Sequence, residues 1–185
     1  VDVDEATFNI DPTLVEKAIT PKTKAILPVH IFGQSCEMQP LLDLAQKHHL
    51  TIIEDACEAL DATHHGKKVG TFGRAAVFAF YPNKQMTTGE GGMIVTNDDA
   101  LAAACRSMRN QGRGEDRQWL LHHRLGYNYR MTEMSAALGC TQLAKLDMLS
   151  KKRAVIVKKY MNKLKTLSGI ILPTVLPPNT HTWFV

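Results

Sequence analysis

Short apolar runs alternate with an amphipathic stretch through the first third of the chain. The runs at residues 25–29 and 51–53 predict buried strands, and residues 38–48, with leucines on one side, predict a helix between them. An earlier helix is predicted from Asp11 as its N-cap and Pro12 at its first position. A strand, a helix and a strand joined by short links form a βαβ unit, which predicts a parallel sheet and the α/β class.

Two further apolar runs, at residues 75–81 and 92–96, predict another pair of strands. Their connection is too short for a crossover helix, so the two strands are expected to pair antiparallel. The connection carries Lys84, followed by threonines and glycines at residues 87–92. A lysine on such a loop can hold its amine near a bound carbonyl compound, although most lysines are exposed and unreactive.

The second half of the chain is predicted to be mainly helical. Residues 97–99 cap a helix that runs to about residue 109, and a long polar loop follows over residues 109–124. Apolar positions at steps of three and four residues predict one long helix over residues 132–166, with a kink or break near Ser150. A helix of that length would span about 50 Å and commonly connects two domains.

A domain junction is predicted near Gly169 and the prolines that follow it. Residues 1–166 are then part of a large domain with its connecting helix, and residues 167–185 begin a small C-terminal domain with a strand. Because the chain starts at Val1 and stops within an apolar run, we expect it to be an internal piece of a longer protein.

The composition is that of an ordinary globular protein, with 44% hydrophobic and 22% charged residues. A net charge of +4 is too mild to indicate nucleic acid, and the basic residues of the long helix are expected to form a solvated face. No apolar run is long enough to predict a membrane span. The four cysteines are scattered, which favours reduced thiols in a cytoplasmic enzyme.

Histidines occur in three adjacent pairs, at residues 48–49, 64–65 and 122–123. Adjacent side chains are expected to point apart on either a strand or a helix. No His-Glu-x-x-His pattern occurs, so no metal site is predicted.

Asp55 ends the second strand, at the edge where parallel sheets bind ligands, although by itself it could equally cap a helix at residues 56–59. A carboxylate there and a lysine on a later glycine-rich loop match the needs of pyridoxal phosphate. The lysine forms a Schiff base with the cofactor aldehyde and then moves a proton, and the carboxylate keeps the pyridine nitrogen protonated.

Several ordered motifs resemble those of the DegT/DnrJ/EryC1/StrS aminotransferases, which use pyridoxal phosphate to aminate nucleotide-linked keto sugars. The resemblance runs over essentially the whole chain, and its motifs lie at residues 28–33, 53–56, 80–84, 88–92, 126–131, 136–137 and 142–143. The resemblance implies the large domain of a fold type I aminotransferase, incomplete here and followed by the start of the small domain. It also implies a mostly parallel sheet with one antiparallel strand and helices on both faces.

The resemblance also implies roles for four residues. Lys84 matches the Schiff-base lysine, and Asp55 matches the partner of the pyridinium nitrogen. Glu58 lies where the family usually has Gln or His beside the phenolic oxygen of the cofactor. Asn128 matches a residue that reaches the cofactor phosphate in the neighbouring subunit, which implies a homodimer with shared active sites.

Two positions depart from the family pattern. Ala79 stands where many members have a serine that binds the phosphate, and its methyl group cannot make that bond. Asp61 replaces a usual glycine, so some backbone strain is expected if φ is positive there. The phosphate-binding Gly-Thr segment of the family is expected before residue 1, and most of the small domain after residue 185.

The implied function is transfer of an amino group, from glutamate, to a nucleotide-diphospho keto sugar. The dehydratase branch of the family carries histidine in place of the lysine, so Lys84 argues against that reaction. One alternative is a regulatory or structural member with a vestigial site, which binds a partner or DNA through the basic helix. Another is a fragment that is inactive by itself.

Overall fold

The computed structural model describes residues 1–114 and 121–185. The predicted loop at residues 109–124 therefore lies partly outside the described residues. The elements of the described residues are α1 (Pro12–Ala18), β1 (Ala25–Ile26), a 3₁₀ turn (Ile31–Gly33), α2 (Met38–Lys47), β2 (Thr51–Asp55), β3 (Thr63–His64), β4 (Lys67–Lys68), β5 (Ala75–Ala79), β6 (Gly92–Val95), α3 (Asp99–Arg109), α4 (Glu133–Leu143) and α5 (Leu146–Leu164).

The main sheet has the strand order β1-β2-β5-β6. Strands β1, β2 and β5 are parallel, and β6 is antiparallel to β5, as the short connection between them predicted. A bridge between Val29 and Asp55 extends the first pair towards its carboxyl end. The mostly parallel α/β sheet is thus confirmed, and the end of β2 lies at its carboxyl edge.

The main hydrophobic core lies between the sheet and the first two helices. Helix α1 begins as predicted, because the Asp11 carboxylate accepts the backbone N–H of Thr13 at 2.8 Å and Pro12 follows the cap. Helix α2 packs its leucines against β1 and β2. The buried side chains of this core are Val15, Ile26, Cys36, Met38, Leu41, Leu44, Ala45 and Ile52.

The connection from β2 to β5 contains the β3–β4 hairpin. Asp55 caps no helix: its Oδ1 accepts the backbone N–H of Cys57 at 3.1 Å, and the described chain continues in turns. A second, smaller core forms beneath this connection from Ala56, Ala59, Ala62 and Val69, with Phe78 of β5 packed against it. The short side chains let the connection lie close over the sheet, beside the end of β2.

The predicted helix over residues 132–166 is two helices, and the break is not near Ser150. It falls at Ala144 and Lys145, where the N–H of Lys145 bonds to the carbonyl of Gln142, three residues back, at 3.0 Å. This tighter bond turns the chain before the ordinary four-residue spacing resumes at Leu149. Of the side chains on α5, only that of Leu146, directly after the break, is buried.

Much of the apolar surface of α4, α5 and β6 is exposed. The exposed side chains are Met93, Ile94, Met134, Leu138, Leu143, Met148, Val155, Ile156 and Tyr160. The predicted helical periodicity of residues 132–166 therefore matches helices α4 and α5, but most of the apolar side chains in this pattern are exposed and do not pack against other described residues. None of the described helices is both long enough and apolar enough to cross a membrane.

Residues after α5 return to the sheet without forming the predicted final strand. Three backbone N–H groups of this segment donate to carbonyls near the sheet: Thr180 to Thr63 (3.0 Å), Thr182 to Gly33 (2.8 Å) and Phe184 to Phe32 (2.9 Å). Only one bridge, between Gln34 and His181, has strand character. The division between residues 1–166 and 167–185 stays a prediction.

Candidate active site

Lys84 lies in a turn that follows β5, and its backbone is fixed at both polar groups. Its N–H donates to the carbonyl of Tyr81 at 3.0 Å, and its carbonyl accepts a guanidinium N–H of Arg153, on α5, at 3.2 Å. The side chain is largely covered, with 14% of its surface exposed. The lysine is therefore not an ordinary surface lysine, because both its backbone and its side chain are held.

The amine of Lys84 has two close neighbours. Its Nζ lies 3.5 Å from Oε1 of Glu58 and 4.2 Å from the centre of the Phe184 ring. The carboxylate and the ring face both attract the ammonium group, and partial burial reduces the screening of both interactions by water. Together they hold the Nζ atom in one position at the end of β5.

Glu58 connects this amine to the turn that follows β1. Its Oε2 accepts the backbone N–H of Phe32 at 2.9 Å, and Phe32 adopts a left-handed conformation with φ of 55°. The side-chain amide of Gln85 donates to the Glu58 carbonyl and to Oγ1 of Thr182, the latter at 3.1 Å. Glu58 is thereby fixed through both its carboxylate and its backbone.

Asp55 lies at the carboxyl end of β2, where the sequence predicted it. Its backbone N–H donates to Pro28 at 2.8 Å and its carbonyl accepts the N–H of His30 at 2.9 Å, so the strand pairing continues through this residue. With Oδ1 held by the N–H of Cys57, the carboxylate has a defined orientation at the ligand-binding edge of the sheet.

The Cys57 thiol lies within reach of the charges of three predicted site residues. Burial raises the pKa of this thiol to about 12, and the hydrogen bond and charge of Asp55 add to the rise. The Lys84 ammonium acts in the opposite direction, and Glu58 adds a smaller rise. Asp55, Glu58 and Lys84 thus all act on the pKa of the same thiol.

A buried hydrogen-bonded pair beside this cluster was not predicted from the sequence. Glu54 and His30 are fully buried, and Glu54 Oε2 lies 3.1 Å from His30 Nε2. Because His30 Nδ1 accepts the N–H of Cys36 at 3.1 Å, the ring proton is on Nε2 and points at Glu54. The Glu54 oxygens also accept three backbone N–H groups, from Gly70 (2.6 Å), Phe72 (2.7 Å) and Gly73 (2.7 Å).

The threonine and glycine loop after Lys84 is closed on itself. Thr87 donates its hydroxyl to the carbonyl of Phe80 at 3.0 Å, and Thr88 donates to the carbonyl of Glu90 at 2.7 Å. A methyl group on Gly91 would lie 2.4 Å from Oγ1 of Thr88, so only glycine allows this packing. The segment after Lys84 is therefore a compact turn. Both of its threonine hydroxyls donate hydrogen bonds to nearby backbone carbonyls.

Asn128 occupies a different setting from the other predicted site residues. It is exposed, and its backbone pairs with that of Asn110 at the end of α3. No contact among residues 1–114 and 121–185 joins it to Lys84, Asp55 or Glu58.

The two departures from the family pattern have clear structural settings. Asp61 has φ of 73°, which confirms the positive φ considered for this position, and its side chain pairs with Lys68 of β4. Ala79 is the last residue of β5 and pairs with Gly92. No side-chain hydroxyl is available at that strand end.

One hollow of the described surface lies away from this cluster. It has a volume of about 530 Å³ and is lined by the end of α2, the start of β2 and residues 72–74. A smaller cavity of about 190 Å³ lies between Phe8, Phe32, His181 and Trp183, next to the turn that Glu58 holds. Neither is lined by Lys84, Asp55 or Glu58.

Comparisons with known proteins give one consistent family. The model of the DegT/DnrJ/EryC1/StrS aminotransferase family matches residues 1–185. GDP-perosamine synthase of Caulobacter vibrioides is 46% identical over 186 residues, which is 100% of this chain and 50% of that protein. The chain thus spans about half the length of the relatives it matches.

Two solved structures have nearly the same fold. Streptomyces venezuelae DesV in complex with a ketimine intermediate aligns with a TM-score of 0.93 and 41% identity, over 100% of this chain and 49% of that chain. Escherichia coli GDP-4-keto-6-deoxy-D-mannose-3-dehydratase with bound hydrated PLP aligns with a TM-score of 0.90 and 28% identity, over 100% and 51% respectively.

Proposed function

The chain belongs to the DegT/DnrJ/EryC1/StrS aminotransferase family, and from that premise we propose that the protein is a pyridoxal phosphate-dependent transaminase of nucleotide-linked keto sugars. The observation that carries the proposal is the Lys84 amine, held between Glu58 and Phe184 at the edge of the sheet where Asp55 also lies. Retention of both Lys84 and Asp55 favours this function over that of a regulatory member with a vestigial site.

The side chains present fit the chemistry of pyridoxal phosphate. Lys84 offers an amine that can condense with an aldehyde, and Asp55 offers a carboxylate for a protonated ring nitrogen. When bound, the cofactor supplies an aldehyde for covalent capture of amines and a ring that withdraws electrons from the substrate carbon. Asn128 of a neighbouring subunit would bind the phosphate, which Ala79 cannot.

Lys84 and Glu58 form the acid–base part of the proposed site. With its amine unprotonated, Nζ of Lys84 is the group that takes a proton from the substrate carbon and returns it elsewhere. Oε1 of Glu58, at 3.5 Å, holds the lysine oriented between these transfers. The Phe184 ring covers the amine on another side and excludes water there.

The substrates follow from the names of the relatives and from the family. We propose a nucleotide-diphospho keto sugar as the amino acceptor and glutamate as the donor, with two subunits of a homodimer sharing each active site. The Caulobacter relative is a GDP-perosamine synthase, which makes GDP-linked keto sugars the first acceptors to test. A cytoplasmic location is in keeping with four free cysteines.

Substitution of Lys84 tests the proposal. The full-length Lys84→Ala enzyme should show no transfer of ¹⁵N from glutamate to a GDP-keto sugar, and borohydride should no longer fix the cofactor to the protein. In the wild type, peptide mass spectrometry after borohydride should find the cofactor on Lys84. Lys159→Ala, on an exposed position of α5, is the matched control and should behave as the wild type.

Two results would contradict the proposal. In the first, the wild type gives no cofactor adduct on Lys84 with saturating pyridoxal phosphate. In the second, it consumes the keto sugar without incorporating ¹⁵N, which would indicate the dehydratase reaction.

A further inference from the structure

Three potential metal-binding side chains meet where α2, the β3–β4 hairpin and the returning C-terminal segment come together. They are Glu37, which directly precedes α2, His64 at the end of β3, and His65 in the hairpin turn. Each offers one ligand atom, and these three atoms lie within 4.8 Å of one another. None of them belongs to the proposed transaminase site.

His64 carries an unsatisfied nitrogen inside the protein. The residue is 5% exposed, and its Nδ1 has no hydrogen-bond partner among the described residues. The His64 ring packs edge-on against the ring of Phe72, with ring centres 5.8 Å apart. A buried polar atom without a hydrogen-bond partner costs free energy and is rare in folded proteins. A bound ligand would satisfy this nitrogen.

The backbone conformation of the hairpin turn places the ring of His65 next to the ring of His64. Adjacent histidines were predicted to point apart, and for this pair the prediction is wrong. His65 has φ of 50°, which breaks the strand alternation, and its ring centre lies 4.4 Å from that of His64. Two imidazoles thus face the same space, with the Glu37 carboxylate beside them.

Asn179 holds two parts of this cluster in place. Its Nδ2 donates to Oε1 of Glu37 at 3.0 Å, and its Oδ1 accepts the backbone N–H of His65 at 3.1 Å. Hydrogen bonds that orient the ligands in this way are typical of the shell around protein metal sites. The residue comes from the C-terminal segment, so three separate parts of the chain meet here.

We propose that Glu37, His64 and His65 bind a divalent transition metal ion of the zinc class. Two imidazole nitrogens and one carboxylate oxygen form a set that Zn²⁺ and Co²⁺ accept, with a further position for water. Mg²⁺ and Ca²⁺ prefer sets made of oxygen and are disfavoured. The ion would join α2, the β3–β4 hairpin and the C-terminal segment.

Titration of the metal-free holoenzyme with Zn²⁺, followed by calorimetry, tests this site. The wild type should bind one Zn²⁺ per chain there, and His65→Ala should weaken binding by about tenfold or more. Because His65 is exposed, the substitution leaves the core intact. The matched control is His49→Ala, an exposed histidine with nearly the same backbone conformation (φ of 53°), and it should bind as the wild type.

Co²⁺ absorption identifies the ligands. Bands of nitrogen and oxygen ligation should appear in the wild type and should weaken in His65→Ala and Glu37→Gln. Equal binding by the wild type and His65→Ala would overturn the proposal. So would cobalt bands from thiolate ligands alone, or no Zn²⁺ binding at millimolar concentration. These readouts do not depend on transaminase activity.

Discussion

Glu54 and Asp55 are neighbours in sequence with opposite surroundings. Successive side chains of a strand point to opposite faces, so Glu54 is fully buried while Asp55 is partly exposed at the sheet edge. Glu54 forms hydrogen bonds with His30 and with the turn at residues 70–73. These bonds hold the end of β2 on its buried face. We regard Glu54 as a positioning residue for Asp55.

Glu54→Gln should destabilise the protein by about 1–3 kcal/mol or more, the usual cost of leaving a buried hydrogen-bond donor without an acceptor. The glutamine amide would place N–H donors against donors, because His30 and three backbone N–H groups all point at this side chain. Urea unfolding measures the change. Glu16→Gln, at an exposed ion pair with Lys47, is the control and should leave stability nearly unchanged, because water screens such pairs.

The same variant should change the acid sensitivity of the protein. Burial by itself would raise the pKa of Glu54, but the bonds from His30, Gly73 and Gly70 outweigh it and hold the pKa below its ordinary 4.5. Its contribution to stability is therefore complete above about pH 4.5 and is lost as pH falls through the lowered pKa. The free energy of unfolding of Glu54→Gln should fall less steeply below pH 4.5, and equal slopes would contradict this.

The segment that carries Asn128 is positioned by two glycines that touch through their backbones. A methyl group on Gly126 would lie 2.2 Å from the backbone nitrogen of Gly112 and 2.6 Å from the carbonyl of Met108. The N–H of Tyr127 donates to that same carbonyl at 2.7 Å. The end of α3 and the start of the Asn128 segment therefore form one unit.

Gly126→Ala should separate these two backbones. We expect a loss of about 1–3 kcal/mol, as for overpacked interiors, together with weaker retention of pyridoxal phosphate on gel filtration as Asn128 moves. Gly169→Ala is the control, because Gly169 has φ of 80° but no atoms within 4 Å of an added methyl group. It should cost about 1 kcal/mol from backbone strain and leave cofactor retention unchanged. Unchanged retention in both variants would contradict the role of the segment.

Local signals made most of the elements predictable. Asp11, Asp98 and Thr132 each accept a backbone N–H in the first turn of a helix, and such caps can be recognised from four residues of sequence. The break at Ala144 and Lys145 was missed because neither glycine nor proline marks it. The two-residue strands β3 and β4 were too short to produce a periodic pattern.

The whole chain leaves a large apolar surface exposed on α4, α5 and the edge strand β6. Tyr127 and Tyr129, on either side of Asn128 in the sequence, are also exposed and stack with ring centres 5.1 Å apart. Surfaces of this kind commonly contact other parts of a protein or another subunit. The exposure of Asn128 between these two tyrosines supports the proposed sharing of active sites between two subunits.

Complementation between two inactive variants tests that sharing. Lys84→Ala and Asn128→Ala homodimers should each be inactive or severely impaired. After unfolding and refolding together in equal amounts, half of the dimers are mixed, and each mixed dimer has one intact site. Activity should therefore return to about a quarter of the wild-type level, by the symmetry of a two-fold dimer. Activity no higher than the mean of the two unmixed variants would argue against shared sites.

The residues of the candidate site differ in how far apart they lie along the sequence, and this decides which of them could be predicted. Lys84 and Asp55 lie at strand ends within a recognisable pattern, and their placement could be expected. Phe184 and Arg153 reach Lys84 from 100 and 69 residues further along the chain, and no local signal announces such contacts. The cluster of Glu37, His64 and His65 was missed because it depends on a left-handed residue in a hairpin turn.

The return of the C-terminal segment to the sheet has a consequence for folding kinetics. Its contacts close very long loops, because Thr63 and Thr180 are 117 positions apart in the sequence and Gly33 and Thr182 are 149 positions apart. Bringing such distant segments together is entropically costly, so these contacts are expected to form after the folding transition state. They are then expected to act chiefly on the unfolding rate, and the segment that covers the Lys84 amine is expected to dock late in folding.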